Sequence, residues 1–305
     1  MNKDDKSMNK PTNRILPPKL QRIMQKDTVL LDGAMGTMLM ADGLQFGEST
    51  ELYALARPEL LRSIHRAYIE AGADIIYACT FGANGHRLAA ENAAPADVIT
   101  RAIRIARESA AEADRDIAVA LDIGPIGELI EPLGPLKAVD AYEYFRKMVI
   151  AGEQAGADLI VFETMYDMQE LQTAIQAAVA NTTLPIFCTM TFGDDLRTFC
   201  GADIPSLAQL SDIPRIAAIG VNCSPGPEGS IPIIRELKKH TDLPLIVKAN
   251  AGLPNPITNT YDTTPQQFAA QMLPFADLGV KMLGGCCGTT PAHIAALHST
   301  LTTIK

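Results

Sequence analysis

The chain has 305 residues, a formal net charge of −9, and 47% hydrophobic against 20% charged residues. That composition supports a sizeable core, and the acidic balance, with no basic face, argues against nucleic acid as a partner. No apolar run reaches membrane-spanning length and the opening Met1-Asn-Lys-Asp-Asp-Lys6 lacks the apolar core of a secretory signal, so a cytoplasmic, reducing setting is expected, with the six cysteines serving metal or packing.

Residues 1–17 are polar and Pro-containing and read as a flexible arm, leaving 18–305 as the folded unit. A short helix over 20–26 leads to an apolar burst at 28–32, which Gly33 and Gly36 mark as a buried strand ending in a turn. Helical spacing over 57–71 has Pro58 in its first turn and Gly72 at its end, and strand two follows at 73–78. The same rhythm continues. Helices are predicted over 85–91 and 96–113, with strand three at 117–121; a helix over 142–155 stops at Gly156 before strand four at 158–162. A helix over 168–180 precedes strand five at 185–190, and a short helix over 204–210 precedes strand six at 217–221. Helices over 231–240 and 266–278 bracket strand seven at 244–248, and strand eight at 280–283 leads to a closing helix over 291–301.

The strands are continuous apolar runs, as in a parallel sheet covered on both faces. Two joints repeat, Glu70-Ala-Gly-Ala-Asp74 and Gln154-Ala-Gly-Ala-Asp158, each with glycine where a helix ends before a strand. Eight strand–helix units without a linker-like break predict a single-domain α/β fold, a (β/α)8 barrel of the TIM type.

In such a barrel, functional groups gather at the C-terminal ends of the strands. Gly284-Gly-Cys-Cys-Gly288 follows strand eight, and Val221-Asn-Cys223 closes strand six. Adjacent Cα atoms lie about 3.8 Å apart, below the roughly 4.4 Å lower limit of a disulfide, so Cys286 and Cys287 are not read as a bonded pair. Flanking glycines let the backbone curl until both sulfurs face one ion. Cys223, Cys286 and Cys287 then share one rim, and three thiolates with an open fourth position match a catalytic zinc site. Such an electron-rich zinc holds a substrate thiol as thiolate, a nucleophile toward an activated alkyl group, so the chemistry points to S-alkylation. Cys188 reads as core; Cys79 and Cys200 lie near the mouth without a partner motif; His65, His86, His240, His293 and His298 read as surface or packing residues.

Two carboxylates close other strands, Asp32 after strand one and Glu163 after strand four. Either can hold a substrate ammonium, while the Gly33-Ala34 turn offers backbone N–H groups to a substrate carboxylate. Their places on the ring argue against a paired hydrolase mechanism.

Leu31-Asp-Gly-Ala-Met-Gly-Thr37, Gly220-Val-Asn-Cys223 and Gly284-Gly-Cys-Cys-Gly288 together resemble the homocysteine S-methyltransferase family, in particular the homocysteine-binding domain of cobalamin-dependent methionine synthases. Asn250-Ala-Gly-Leu-Pro-Asn255 and Asn222-Cys-Ser-Pro-Gly-Pro-Glu228 are similar to that branch too, and the likeness runs from about residue 20 onward. The resemblance implies zinc on Cys223, Cys286 and Cys287 with homocysteine sulfur completing the coordination, Asp32 and Glu163 facing the substrate amino group, and the Gly33-Ala34 backbone near its carboxylate. These 305 residues contain no folate- or cobalamin-binding domain, so the expected methyl donor is methylcobalamin or another methylcorrinoid carried in trans by a separate protein. Betaine or S-methylmethionine is the alternative donor, and a non-autonomous homocysteine-binding subunit of a corrinoid complex is a further one. Two segments depart from the family pattern, Ala78-Cys-Thr-Phe81 after strand two and Cys200 after strand five.

Overall fold

A computed structural model describes residues 16–255 and 260–303. Eight strands, β1 (Val29–Leu30), β2 (Ile75–Tyr77), β3 (Ala118–Ile123), β4 (Leu159–Met165), β5 (Ile186–Met190), β6 (Ile216–Asn222), β7 (Leu245–Ala249) and β8 (Met282–Gly285), run parallel in the order β1-β8-β7-β6-β5-β4-β3-β2. A single parallel bridge, Leu31 to Ile75, joins the two ends of that order, so the sheet forms a nearly closed (β/α)8 barrel of the TIM type. Eleven α-helices are described, among them α1 (Pro18–Met24), α2 (Met35–Ala41), α3 (Thr50–Leu55), α4 (Pro58–Glu70), α5 (Pro95–Ala111), α6 (Ala138–Ala155), α7 (Met168–Asn181), α8 (Ile204–Ala208), α9 (Gly226–Leu237), α10 (Pro265–Asp277) and α11 (Pro291–Thr303). Among the described residues no helix is long and apolar enough to cross a membrane.

The barrel interior follows from strand periodicity. Alternate residues point inward, and one buried cluster collects Val29, Leu31, Ile75, Tyr77, Ala118, Ala120, Leu159, Val161, Phe187, Ala218, Ile246 and Met282. The other parity packs outward against the helices in a second, larger cluster. Leu20 and Ile23 of α1 join the interior cluster, so this helix plugs the N-terminal end of the barrel, each side chain contributing about 1.5–3 kcal/mol by burial. Of the arm expected over 1–17, Leu16 packs there and Pro17 caps α1, while residues 1–15 lie outside the described residues.

The two Ala-Gly-Ala-Asp joints serve the same end. Gly72 and Gly156 take positive φ (109° and 89°) where the helices stop. The aspartates that follow are fully partnered. Asp74 accepts the Leu30 N–H at 3.0 Å and pairs with Lys26 (2.6 Å) and Arg115 (2.9 Å). Asp158 accepts the Val119 N–H at 2.8 Å and pairs with Lys19 at 2.9 Å.

Three local readings are corrected. The helix predicted over 85–91 is a single 3-10 turn, Ala89–Glu91, because Asn92 enters the left-handed region (φ 50°) and ends it. Helices α2 and α3 had no counterpart in the sequence reading: each has only six or seven residues, too few for a clear period, and α3 relies on Ser49 accepting the Leu52 N–H. Helix α9 begins at Gly226 rather than near 231, with Pro227 in its first turn and Pro232 inside it, residues that read as loop in isolation.

Candidate metal centre

Cys223 follows directly on β6, and its backbone takes φ 51°, a conformation uncommon for a residue with a side chain. Thr164, inside β4, takes φ 61°. Both turns meet on Asn222, the last residue of β6. Its Oδ1 accepts the Thr164 N–H (2.8 Å) and the Thr189 hydroxyl (2.7 Å), and its Nδ2 donates to Thr164 Oγ1 (2.7 Å) and toward Cys286 Sγ (3.8 Å). Strained backbone is retained where such a network over-determines it. On the other side, Cys286 N–H donates to Ala249 O (2.7 Å) and Ala251 N–H to Cys287 O (2.9 Å), tying the β8 turn to β7. Gly288 turns the chain with φ 80°, and a Cβ there would collide with the Tyr261 ring at 2.2 Å. Glycine is needed at this position for both reasons.

The result is a triangle of sulfurs. Cys223 Sγ lies 3.3 Å from Cys286 Sγ and 3.4 Å from Cys287 Sγ, and all three ligand atoms fall within 4.8 Å of one another. No disulfide links them. Zinc–sulfur bonds of about 2.3 Å in a tetrahedron place sulfurs roughly 3.8 Å apart, so the triangle needs only a small expansion to hold the ion. The thiols also polarise one another: hydrogen bonds from Cys223 and Cys286 bring Cys287 down to about 3, whereas the same bonds and burial drive Cys223 far up. A divalent cation relieves that conflict by taking all three as thiolates. The trio is half-buried and is the one such group among the described residues.

The remaining cysteines stay apart. Cys188 is fully buried in β5; Cys79 is buried and lies 3.9 Å from Thr50 O; Cys200 is half-buried on the loop after β5. The histidines hold no metal-like geometry: His65 is completely buried with burial lowering it to about 4, and His293 is held by Thr290 and Thr263.

Below the sulfurs lies a charged layer. Asp32, after β1, and Glu163, of β4, are bridged by one ammonium: Lys248 Nζ is 3.1 Å from Asp32 Oδ1 and 3.6 Å from Glu163 Oε2. Lys248 also stacks on the Tyr77 ring, 3.5 Å from its centroid. Asp32 Oδ2 accepts the Tyr77 N–H at 2.7 Å. The carboxylates hold Lys248 protonated despite complete burial, while burial raises Asp32, and raises Glu163 to about 7. Sequence reading passed over Lys248, and its signal was slight: a lone charge at the end of the apolar run Leu245-Ile-Val-Lys248. At the Gly33-Ala34 turn, the Ala34 N–H donates to Thr289 Oγ1 (3.1 Å), and Gly33 packs so tightly on Tyr68 and Thr289 that a Cβ would meet both within 3 Å.

A cavity of 750 Å³ opens beside Cys223, lined among others by Tyr166, Phe192, Phe199, Asn250 and Leu253. Phe199 and Leu253 are exposed at its edge.

Barrel, trio and acidic layer agree with one family. A family model described as homocysteine S-methyltransferase matches residues 29–301. The chain belongs to the homocysteine S-methyltransferase family. It is 30% identical over 302 residues to the methionine synthase of Mycobacterium tuberculosis, covering 93% of this chain and 25% of that protein. It is 31% identical over 282 residues to that of Mycobacterium leprae, covering 86% and 23%. The chain therefore spans about a quarter of the length of these curated relatives. Among solved structures, the oxidised form of the homocysteine methyltransferase MmuM from Escherichia coli aligns with a TM-score of 0.81 at 27% identity, covering 93% of this chain and 99% of that one. The metallated form of the same protein aligns with a TM-score of 0.78 at 26% identity, covering 92% and 99%.

Proposed function

We propose that this chain methylates the sulfur of homocysteine to give methionine, using zinc held by Cys223, Cys286 and Cys287 and a methylcorrinoid donor on a separate protein. The observation that carries this reading is the sulfur triangle, formed from two distant strand ends directly above a buried acidic layer. The metallated form of MmuM supports a metal in the same fold. Bound to the three thiolates, zinc supplies acidity, keeping a coordinated substrate sulfur deprotonated at neutral pH.

The chain's own residues do the rest. Asn222 aims Cys286 by its N–H and locks the Thr164 turn, so ligand and acidic layer keep a fixed spacing. Glu163 faces the substrate ammonium directly and Asp32 acts through Lys248, which lies between the two acids, while the Gly33-Ala34 turn borders the substrate carboxylate. A thiol fixed at both ends presents its sulfur toward the cavity beside Cys223, which reduces the entropic cost of transfer. A reducing, cytoplasmic setting keeps the trio as thiols.

The resemblance of the segments 222–228 and 250–255 to the cobalamin-dependent branch favours a corrinoid donor. The exposed Phe199 and Leu253 suit the docking of a protein that carries one. A small donor such as betaine or S-methylmethionine is the second reading, favoured by MmuM, 99% of which is covered by this single barrel. The test is homocysteine methylation by zinc-loaded protein with methylcobalamin, a methylated corrinoid protein, betaine and S-methylmethionine in parallel. Turnover with a methylcorrinoid is expected; turnover with only the small donors selects the second reading.

A further inference from the structure

The inward parity of the strands does not stop at the apolar layers. Two residues above Ala120 stands Asp122, two above Val161 stands Glu163, and two above Ile246 stands Lys248. With Asp32 they form one layer in which every member is more than nine-tenths buried: Asp32 2% exposed, Asp122 7%, Glu163 8% and Lys248 3%. Tyr77, the inward residue at the end of β2, floors it beneath the lysine ammonium. Thr80 pins the Asp122 backbone, accepting its N–H (3.1 Å) and donating to its carbonyl (2.8 Å).

Partners within this layer are unevenly shared. Asp32 has both a backbone N–H and the lysine. Asp122 Oδ1, Glu163 Oε2 and the Tyr77 hydroxyl are buried with no hydrogen-bond partner. Unmade hydrogen bonds on buried polar atoms are expensive, and native structures retain them where something else is meant to arrive. The charges are unbalanced too: three carboxylates share one lysine. Burial raises Asp122, and the facing charge of Glu163 raises it further. A second cation would reverse these penalties. An ammonium carries three N–H donors, matching the three orphan acceptors.

We propose that Asp122 and the Tyr77 hydroxyl complete the amino-acid subsite, so that the substrate α-ammonium sits among Asp122, Glu163 and Tyr77 while Lys248 stays on Asp32. This rests on the reading of the acceptor as an amino-acid thiol and adds a determinant of its selectivity. The layer then rejects a thiol lacking the amino group, because the three acceptors remain unpaired when it binds.

Calorimetric titration of the zinc-loaded protein with homocysteine and with 4-mercaptobutanoate, its analogue without the amino group, reads this directly. Wild-type protein is expected to prefer homocysteine. Asp122→Asn should cut that preference about tenfold or more, and Tyr77→Phe about threefold, as expected for loss of a charged and a neutral contact. The preference ratio separates recognition from general loosening, which weakens both thiols alike. An unchanged ratio in Asp122→Asn overturns the proposal, as does wild-type protein with no preference. If Asp122→Asn does not fold, the Tyr77→Phe ratio decides. Ammonium-selective binding without methyl transfer from any donor would sink the proposed reaction and leave this subsite standing.

Discussion

The two ends of this barrel are built from the same eight strands and treat their acids in opposite ways. At the N-terminal end, Asp74 and Asp158 each accept a backbone N–H and face lysine or arginine, with no oxygen left unpaired. At the C-terminal end, Asp32 and Glu163 share Lys248, and Asp122 Oδ1 and Glu163 Oε2 are buried without a hydrogen bond. One end satisfies its acids as folded; the other leaves buried oxygens without a hydrogen bond. This is the barrel's division between stability and chemistry, expressed in partners rather than in sequence position.

The strongest way to break the comparison is to remove a sulfur. Alanine at Cys223, Cys286 or Cys287 should reduce methyl transfer to roughly 1% or less, since two thiolates no longer make a closed three-ligand set. Elemental analysis should show zinc lost with activity, and wild-type zinc content in all three variants would dismiss the site.

Next in size is Lys248→Met. It leaves three buried carboxylates without a counter-charge and should cost about 3–5 kcal/mol in stability, read by denaturant unfolding. A loss below about 1 kcal/mol would mean that the layer is better solvated than its burial indicates.

A pH profile sharpens the contrast at an intermediate scale. Glu170 of α7, at the C-terminal end, accepts the Ile126 N–H (2.7 Å), and burial raises it from 4.5 to about 7. A carboxyl raised in the folded chain binds its proton there more tightly than when unfolded. Its contribution is therefore full below pH 4.5 and is lost as the pH rises toward 7. Relative to Glu170→Gln, wild-type protein should lose about 2–3 kcal/mol across that window, measured by unfolding at each pH. Parallel pH curves for the two proteins would refute the shift.

The smallest effect belongs to the other end. Asp74→Asn should lower stability by about 1–2 kcal/mol by weakening the pairs with Lys26 and Arg115. Homocysteine affinity should not move, and a change there would blur the division between the ends.

Much of this was legible in the chain. Continuous apolar runs and glycine-ended joints located all eight strands, and placing Cys223 and Cys286-Cys287 on one rim followed from the barrel before any sulfur distance was known. Lys248 and Asp122 were not legible, because a single charge within an apolar strand has no spacing to reveal it. Its meaning depends on the inward parity and on which strands close beside it. Helices α2 and α3 escaped for a related reason, being set by capping and packing rather than by periodicity.

The central claim is that three cysteine sulfurs hold a zinc with one position left for the substrate thiol. X-ray absorption at the zinc edge counts those sulfurs directly. The account predicts three sulfurs at about 2.3 Å in zinc-loaded protein and four after homocysteine is added. Fewer than three sulfurs, or a count that homocysteine leaves unchanged, would contradict it.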